Sequence, residues 1–105
     1  MNWKNQNNQR LINAFLSLET IEETQSFLRD LMTEDEIQEL AKRLQTAQML
    51  SDKIPYSIII KTTGLSSTTI ARVSKWLNGS QAGYKNILSK LHRHDQSSRE
   101  EFGSD

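Results

Sequence analysis

Hydrophobic side chains recur along this chain at intervals of three and four residues, which is the spacing of one face of an α-helix. The first stripe runs through Leu11, Ile12, Phe15 and Leu16. The second stripe comprises Ile21, Thr24, Phe27, Leu28 and Leu31. The third comprises Ile37, Leu40, Ala41, Leu44, Ala47 and either Met49 or Leu50. One proline and four glycines in 105 residues leave these stripes largely uninterrupted, so the pattern predicts an all-α chain.

Two helix starts carry capping boxes, Thr20-Ile-Glu-Glu23 and Thr33-Glu-Asp-Glu36. In such a box the hydroxyl accepts from the amide three residues later, and the carboxylate there reaches back to the amide of the cap residue. Three acids in the first turn of the second box also suit the positive end of a helix dipole. These signals predict helices over about residues 20–31 and 33–51.

The second half of the chain reads as a short helix, a glycine and a further helix. Pro55 suits the first turn of a helix, where its missing N–H costs nothing. Gly64 suits the left-handed residue that ends a helix. The sequence therefore predicts one helix over Tyr56–Thr63 and another, capped by Ser66, over Ser67–Leu77.

A last helix is predicted from the spacing of Tyr84, Ile87, Leu88 and Leu91. The sequence that follows is polar, charged and poor in apolar residues, which is typical of disorder. We therefore predict a single domain of about six helices over residues 1–92 and a disordered tail over residues 93–105.

The helix, glycine and capped helix over residues 56–77 together form the pattern of a helix-turn-helix. In this motif apolar residues follow the turn glycine by one, six and nine positions, and they hold the second helix against the first. Gly64 is followed at these distances by Leu65, Ile70 and Val73. The spacing therefore fits the motif after the glycine.

The positions before the glycine fit less uniformly. Ile59, five residues earlier, suits a core anchor, whereas Ile60 is larger than the alanine that is common four residues before the glycine. The alternative to DNA binding is that Ile60 splays the two helices. The chain is then a protein-interaction module that keeps the fold but no longer reads DNA.

Acidic and basic residues are unevenly distributed, although the formal net charge is zero. Residues 53–94 contain seven bases and no acid, whereas residues 1–52 contain nine acids and five bases. At the average acid content of the chain, the first of these segments would hold about five acids. A block of one charge sign indicates a polyanionic partner.

The predicted recognition helix carries small polar residues at its start, where such a helix enters the major groove of DNA. With Ile70, Val73 and Leu77 turned inward, its opposite face offers hydroxyls and cations to base edges and phosphates. For Ser66, we favour helix capping over DNA contact as the explanation of the hydroxyl. The residues predicted to bind double-stranded DNA are Tyr56, Ser57, Lys61, Ser66, Ser67, Thr68, Ala71, Arg72 and Lys75.

Three segments resemble the tryptophan repressor (TrpR) family, and its YerC/YecD branch in particular: LMTEDEIQELAKRLQTAQML, GLSSTTIARVSKWLN and GYKNIL. The resemblance covers about residues 21–91. It implies a six-helix subunit that forms an intertwined homodimer around a shared core of N-terminal helices. It also implies a transcription regulator that acts as a repressor. Its two helix-turn-helix motifs, called reading heads, bind half-sites about 34–36 Å apart or a multiple of that distance.

The resemblance further implies a tryptophan pocket between the core and the reading head. Arg43 matches the arginine that stacks on the ligand, Thr69 a pocket threonine, and Arg72 the arginine that meets the carboxylate. The next position is glycine in the true repressor, whereas Val73 here fills the space that the indole needs. We therefore expect that tryptophan does not bind.

Two interpretations of this pocket follow. In one, Arg43 has a structural role and pairs with Glu36 or Glu39 on its own helix face. In the other, a changed pocket binds a different small molecule, and the protein is a ligand-gated repressor.

Other functions have little support in the sequence. There is no cysteine for disulfides or thiolate metal sites, and His92 and His94 are two residues apart, the wrong spacing for one helix face. No nucleophile–base pair or carboxylate dyad stands out, so we predict neither an enzyme nor a cofactor. The longest apolar run is Ile58–Ile60 and the start of the chain is polar, so we expect a cytoplasmic bacterial protein, at the nucleoid when bound.

Overall fold

The computed structural model describes residues 1–102, with side chains for residues 1–95. Its helices are α1 (Gln6–Leu16), α2 (Ile21–Leu31), α3 (Glu34–Ser51), α4 (Tyr56–Thr63), α5 (Ser67–Leu77) and α6 (Gly83–Phe102). These are the six helices that the sequence predicts, and no strand occurs among the described residues, so the all-α prediction is confirmed. Within this part of the chain, no helix has both the length and the apolar character that crossing a bilayer requires.

The first of two compact units, Met1–Ile37, contains α1, α2 and the first turn of α3. The rings of Phe15 and Phe27 meet edge to face with 5.5 Å between centroids, which packs α1 against α2. No residue of this unit is buried. Its apolar stripes remain open to solvent, and Leu16 and Ile21 are 77% and 72% exposed.

The two predicted capping boxes differ in their carboxylate bonds. At α3, Thr33 Oγ1 accepts from the Glu36 N–H at 3.1 Å and Glu36 Oε1 accepts from the Thr33 N–H at 3.0 Å, which completes the box. At α2, Thr20 Oγ1 accepts from the Glu23 N–H at 3.1 Å, but the Glu23 carboxylate accepts from the N–H of Glu19. The predicted return bond to Thr20 is therefore wrong, since the carboxylate accepts instead from the N–H of the residue before the cap.

The second unit begins at Gln38 and has a core of two clusters. The first cluster comes from α3, α5 and α6 and comprises Ala47, Val73, Leu77 and Leu88. The second comes from α4, the turn after it and α5, and comprises Ile59, Leu65 and Ile70. Leu50 of α3 packs against both clusters, so α3 joins them. Burying each larger side chain stabilises the fold by about 1.5–3 kcal/mol.

The buried face of α3 is confined to the second half of the helix. Thr46 and Ala47 are fully buried, whereas Leu40, which the sequence predicts to face inward, is 48% exposed. Both core clusters lie against the later turns of α3, so the earlier apolar residue stays outside them. The periodicity predicted the face of this helix but not the length over which it is covered.

The last helix extends beyond its predicted end. α6 runs from Gly83 to Phe102, whereas the sequence predicts that the domain ends at residue 92 and a disordered tail occupies residues 93–105. No glycine or proline lies between Gly83 and Gly103, so no residue of low helix propensity interrupts the backbone earlier. Residues 103–105 lie outside the described residues.

Two turns hold a residue other than glycine in the left-handed conformation, Lys53 with φ 63° and Ala82 with φ 59°. After α3, the N–H of Ile54 donates to the carbonyl of Met49 at 3.0 Å, the long bond of a helix-ending Schellman turn. Glycine is the usual residue at such a position. The sequence therefore gave no signal for either turn.

Candidate nucleic-acid interface

A short turn that begins at Gly64 joins α4 to α5. Gly64 has φ 75° and ψ 4°, and its N–H donates to the carbonyl of Ile60 at 2.8 Å. Ser66 then caps α5, because its Oγ accepts from the N–H of Thr69 at 3.2 Å. The left-handed glycine and the serine cap that the sequence predicts are both confirmed.

A buried threonine bonds the backbone both before and after the turn glycine. Thr63 Oγ1 donates to the carbonyl of Ile59 at 2.8 Å and accepts from the N–H of Leu65 at 3.2 Å. Thr63 is only 4% exposed, so water does not compete for these bonds. Sequence reasoning missed this residue. The available signal was a threonine in the last turn of a helix, where its hydroxyl often bonds the carbonyl four residues earlier.

Apolar side chains hold α5 against α4 at the predicted spacing. Ile59 and Ile70 are fully buried, and Leu65 is 8% exposed. Ile60, the oversized residue of the pattern, is 39% exposed and belongs to neither core cluster. Ile60 therefore lies outside the buried cluster of Ile59, Leu65 and Ile70 that joins α4 to α5.

The outer face of α5 is exposed and polar. Its buried residues are Ile70, Val73 and Leu77, as the motif requires. The predicted DNA-binding residues at exposed positions of α5 are Ser67, Thr68, Ala71, Arg72 and Lys75. Those at exposed positions of α4 are Tyr56, Ser57 and Lys61.

The hydroxyl residues at the start of α5 form two pairs with different surroundings. Ser66 Oγ donates to Thr69 Oγ1 at 3.1 Å in addition to its capping bond, so both side chains are engaged within the protein. The side chains of Ser67 and Thr68 are exposed and make no hydrogen bond with another residue of the described chain. Ser67 and Thr68 are therefore the hydroxyls that a ligand can use.

The cations of this interface are exposed and lie in the acid-free segment of residues 53–94. Among residues 1–95 the ion pairs lie elsewhere, and none involves Lys61, Arg72 or Lys75. Because no carboxylate of residues 1–95 pairs with these side chains, their positive charge acts outward on solvent and on any polyanion that approaches.

Two side chains lie close to Arg43 of α3. Its guanidinium carbon lies 6.0 Å from the ring centroid of Trp76, a cation–π distance, and its Nε lies 3.6 Å from Glu39 Oε1. Of the two predicted partners, Glu39 is the one found, since Glu36 bonds Thr33 at the helix start. Sequence reasoning missed the contact with Trp76, because the two residues are far apart in the chain and only packing brings them together.

The residues matched to the ligand positions of the family have other surroundings here. Val73 is fully buried in the cluster with Ala47, Leu77 and Leu88. Thr69 hydrogen bonds to Ser66, and Arg72 is exposed.

An open apolar cleft of about 710 Å³ lies at the end of α5. Its walls include Leu44, Trp76, Tyr84 and Ile87, with Lys75 at the same site. This volume lies within the range of about 300–1,000 Å³ that small-molecule sites occupy.

Comparison with known proteins agrees with this architecture. The sequence matches the model of the family described as Trp repressor protein over residues 6–92. The protein YerC of Bacillus subtilis (strain 168) is 42% identical over 82 residues, which are 78% of this chain and 79% of YerC.

Two solved structures share the fold. A TrpR-like protein from Eubacterium eligens has a TM-score of 0.81 and 36% identity, over 86% of this chain and 93% of that one. A candidate Trp repressor from Staphylococcus aureus has a TM-score of 0.75 and 38% identity, over 80% of this chain and 84% of that one. With its helix-turn-helix and a family match over most of its length, the chain belongs to the Trp repressor protein family.

Proposed function

We propose that this protein is a sequence-specific DNA-binding transcription regulator, acting as a repressor without tryptophan as corepressor. The observation that carries the proposal is the outer face of α5, where exposed hydroxyls and cations stand without a carboxylate. Membership of the Trp repressor family and the likeness to a candidate Trp repressor support a DNA-binding regulator at the level of the family.

In this proposal the start of α5 enters the major groove of DNA. Ser67, Thr68 and Ala71 are short, so they let the helix approach the base edges. Lys61, Arg72 and Lys75 are long and positive, and they bind phosphates on either side of the groove. Tyr56 and Ser57, at the start of α4, bind the DNA backbone.

The proposed independence from tryptophan rests on Val73 and Arg43. Val73 is fully buried in a packed cluster, so the room that glycine leaves in the true repressor is taken by a side chain. Arg43 already lies over the indole of Trp76 and beside Glu39. Its guanidinium therefore already has an aromatic and an acidic neighbour within the protein, which favours a reading head held in place without a corepressor.

Homodimer formation is the second part of the proposal. The N-terminal unit buries no residue, although each of its two helices carries an apolar stripe, and its Leu16 and Ile21 face solvent. A unit with no core of its own needs another apolar surface to be stable. A two-fold dimer supplies one and also gives two reading heads for a pseudo-palindromic operator.

Fluorescence anisotropy with duplex DNA tests the proposal. We expect binding that weakens steeply with salt, since each phosphate that a cation neutralises adds about 0.9 to the slope of log K against log salt. Replacing Lys61→Glu together with Lys75→Glu should abolish binding, because both changes put a carboxylate beside phosphate.

The matched control for this experiment is Lys4→Glu together with Lys42→Glu, which changes the net charge equally but lies outside the acid-free segment. This variant should keep most of the DNA affinity. Absence of association at low salt, for the unaltered protein, would contradict the proposal and favour the protein-interaction module.

Titration calorimetry with tryptophan tests the part of the proposal that concerns the corepressor. We expect no heat of binding, because the fully buried Val73 stands where the true repressor has the glycine that leaves room for the indole. The same titration with related amino acids addresses the ligand-gated alternative. A saturable heat with tryptophan would contradict the proposed independence from the corepressor. A saturable heat with a related amino acid would support the ligand-gated alternative.

A further inference from the structure

We propose that the reading head recognises thymine through its 5-methyl group, using the methyl groups of Thr68 and Ala71 on α5. This inference rests on the proposed DNA-binding function and names the base that the outer face of α5 selects. It predicts that the operator half-sites contain thymine where the first two turns of α5 lie in the major groove.

Thr68 and Ala71 are placed on α5 where both can face DNA. Ile70, Val73 and Leu77 define the buried stripe, and Thr68 lies on the opposite side of the helix. Ala71 follows one turn later, and both residues are exposed. Residues three apart on a helix have Cβ atoms about 5–6 Å from each other. Since bases of one strand are about 3.4 Å apart, the two methyl groups can contact neighbouring base pairs.

The residue types on the outer face of α5 limit which base it can select. Adenine is selected by the paired bonds of Asn or Gln, and cytosine by an acceptor such as Asp or Glu. None of these residue types occurs on α5, whose sequence is STTIARVSKWL. What the first two turns do offer is hydroxyls, which bond to any base, and methyl groups, which contact the methyl of thymine.

The two cations of α5 are assigned to phosphates in the proposed function. Lys75 lies in the third turn of α5. Arg72 lies in the second turn beside Ala71, and its side chain is long enough to reach the DNA backbone, although it can also bind guanine. Ser66 and Thr69 are engaged with each other through their hydroxyls. Thr68 and Ala71 therefore remain as the base-selective groups nearest the start of the helix.

The experiment compares thymine with uracil, which lacks only the 5-methyl group. Sites are selected with the full-length protein from a pool of duplexes that have a random core. The enriched duplexes are then resynthesised with deoxyuridine at one thymidine at a time. We expect the affinity to fall about fourfold for each contacted methyl group that is removed.

A matched pair of variants assigns the contact to Thr68. Thr68→Ser keeps the hydroxyl and removes the methyl group, so the difference between thymine and uracil at one position should disappear. Thr68→Val keeps a methyl group in that place and removes the hydroxyl, so the difference should remain. Ala71→Gly should cancel the difference at a second position, with circular dichroism used to confirm that the variant is folded.

The outcomes separate this inference from the proposed function. Salt-dependent binding with equal affinity for thymine and uracil overturns the inference and leaves the DNA-binding function standing. Enriched sites without thymine, or binding without enrichment of any sequence, also overturn it. No association with any duplex at low salt overturns the proposed function and the inference together.

Discussion

At the scale of single residues, the turn of the helix-turn-helix depends on one backbone conformation and one buried hydroxyl. Gly64 has φ 75°, which L side chains rarely adopt, and Thr63 bonds the backbone on both sides of the turn. Gly64 has no side chain and the short side chain of Thr63 is buried, so neither residue offers a side chain to DNA. Both set where α5 begins, and they therefore determine which of its residues face outward.

Replacing Gly64→Ala should lower the free energy of unfolding by about 1–2 kcal/mol. A Cβ at this position meets no atom within 4 Å, so the cost comes from the backbone conformation alone. Urea denaturation measures the change.

Gly83→Ala is the matched control for this glycine. A Cβ there also meets no atom within 4 Å, but Gly83 begins α6 without the left-handed φ of Gly64. The substitution should be neutral or slightly stabilising, since alanine has the higher helix propensity. An equal loss of stability in both variants would show that φ is not the cause.

At the scale of elements, α3 is the helix whose start is best defined. The complete capping box between Thr33 and Glu36 satisfies two backbone amides, and Glu34 and Asp35 add negative charge in the first turn. The hydrogen bonds from the backbone and the side chain of Thr33 lower the pKa of Glu36 below its ordinary value of 4.5.

This lowered pKa predicts how the stability of α3 depends on pH. Because the folded protein binds the proton of Glu36 less tightly than the unfolded chain, the stabilisation is present above pH 4.5 and is lost as the pH falls through the folded pKa. The melting temperature of the unaltered protein should therefore exceed that of Glu36→Gln at neutral pH, and the difference should shrink in acid. Thermal unfolding followed by circular dichroism measures both.

Thr33→Val serves as the control for the capping box, because it keeps the shape of the cap residue and removes its hydroxyl. It should lose about 1 kcal/mol of stability at neutral pH. A difference between the unaltered protein and Glu36→Gln that stayed constant across the acid range would contradict the assignment.

At the scale of the whole molecule, the distribution of apolar surface is the main feature. Seven hydrophobic residues of the described chain are buried, and all of them lie in the second unit. In the first unit, Leu16 and Ile21 remain largely exposed. A large amount of exposed apolar surface marks an interface with another molecule.

If that interface is the proposed homodimer, the unfolding midpoint should rise with protein concentration, because dissociation accompanies unfolding. Leu16→Glu should shift the protein to monomers and lower its stability, whereas Lys4→Glu, on the exposed N-terminal segment, should change neither property. Analytical ultracentrifugation gives the mass. A monomer whose midpoint is independent of concentration would exclude the homodimer.

The sequence by itself determined the six helices, the completed cap of α3 and the spacing of the helix-turn-helix. Each of these depends on residues no more than about nine positions apart, whose geometry follows from helix periodicity and backbone hydrogen bonds. The acid-free segment of residues 53–94 was also evident, because charge is a property of composition.

Only the tertiary structure decided which of these faces are covered and which side chains meet. It left Leu40 half-exposed, buried Thr63, and placed Arg43 over Trp76. It also gave Lys53 a left-handed backbone that its side chain does not predict. These outcomes depend on packing between residues distant in the chain, or on the path that the packed helices impose on the turns, and neither is encoded in a local pattern.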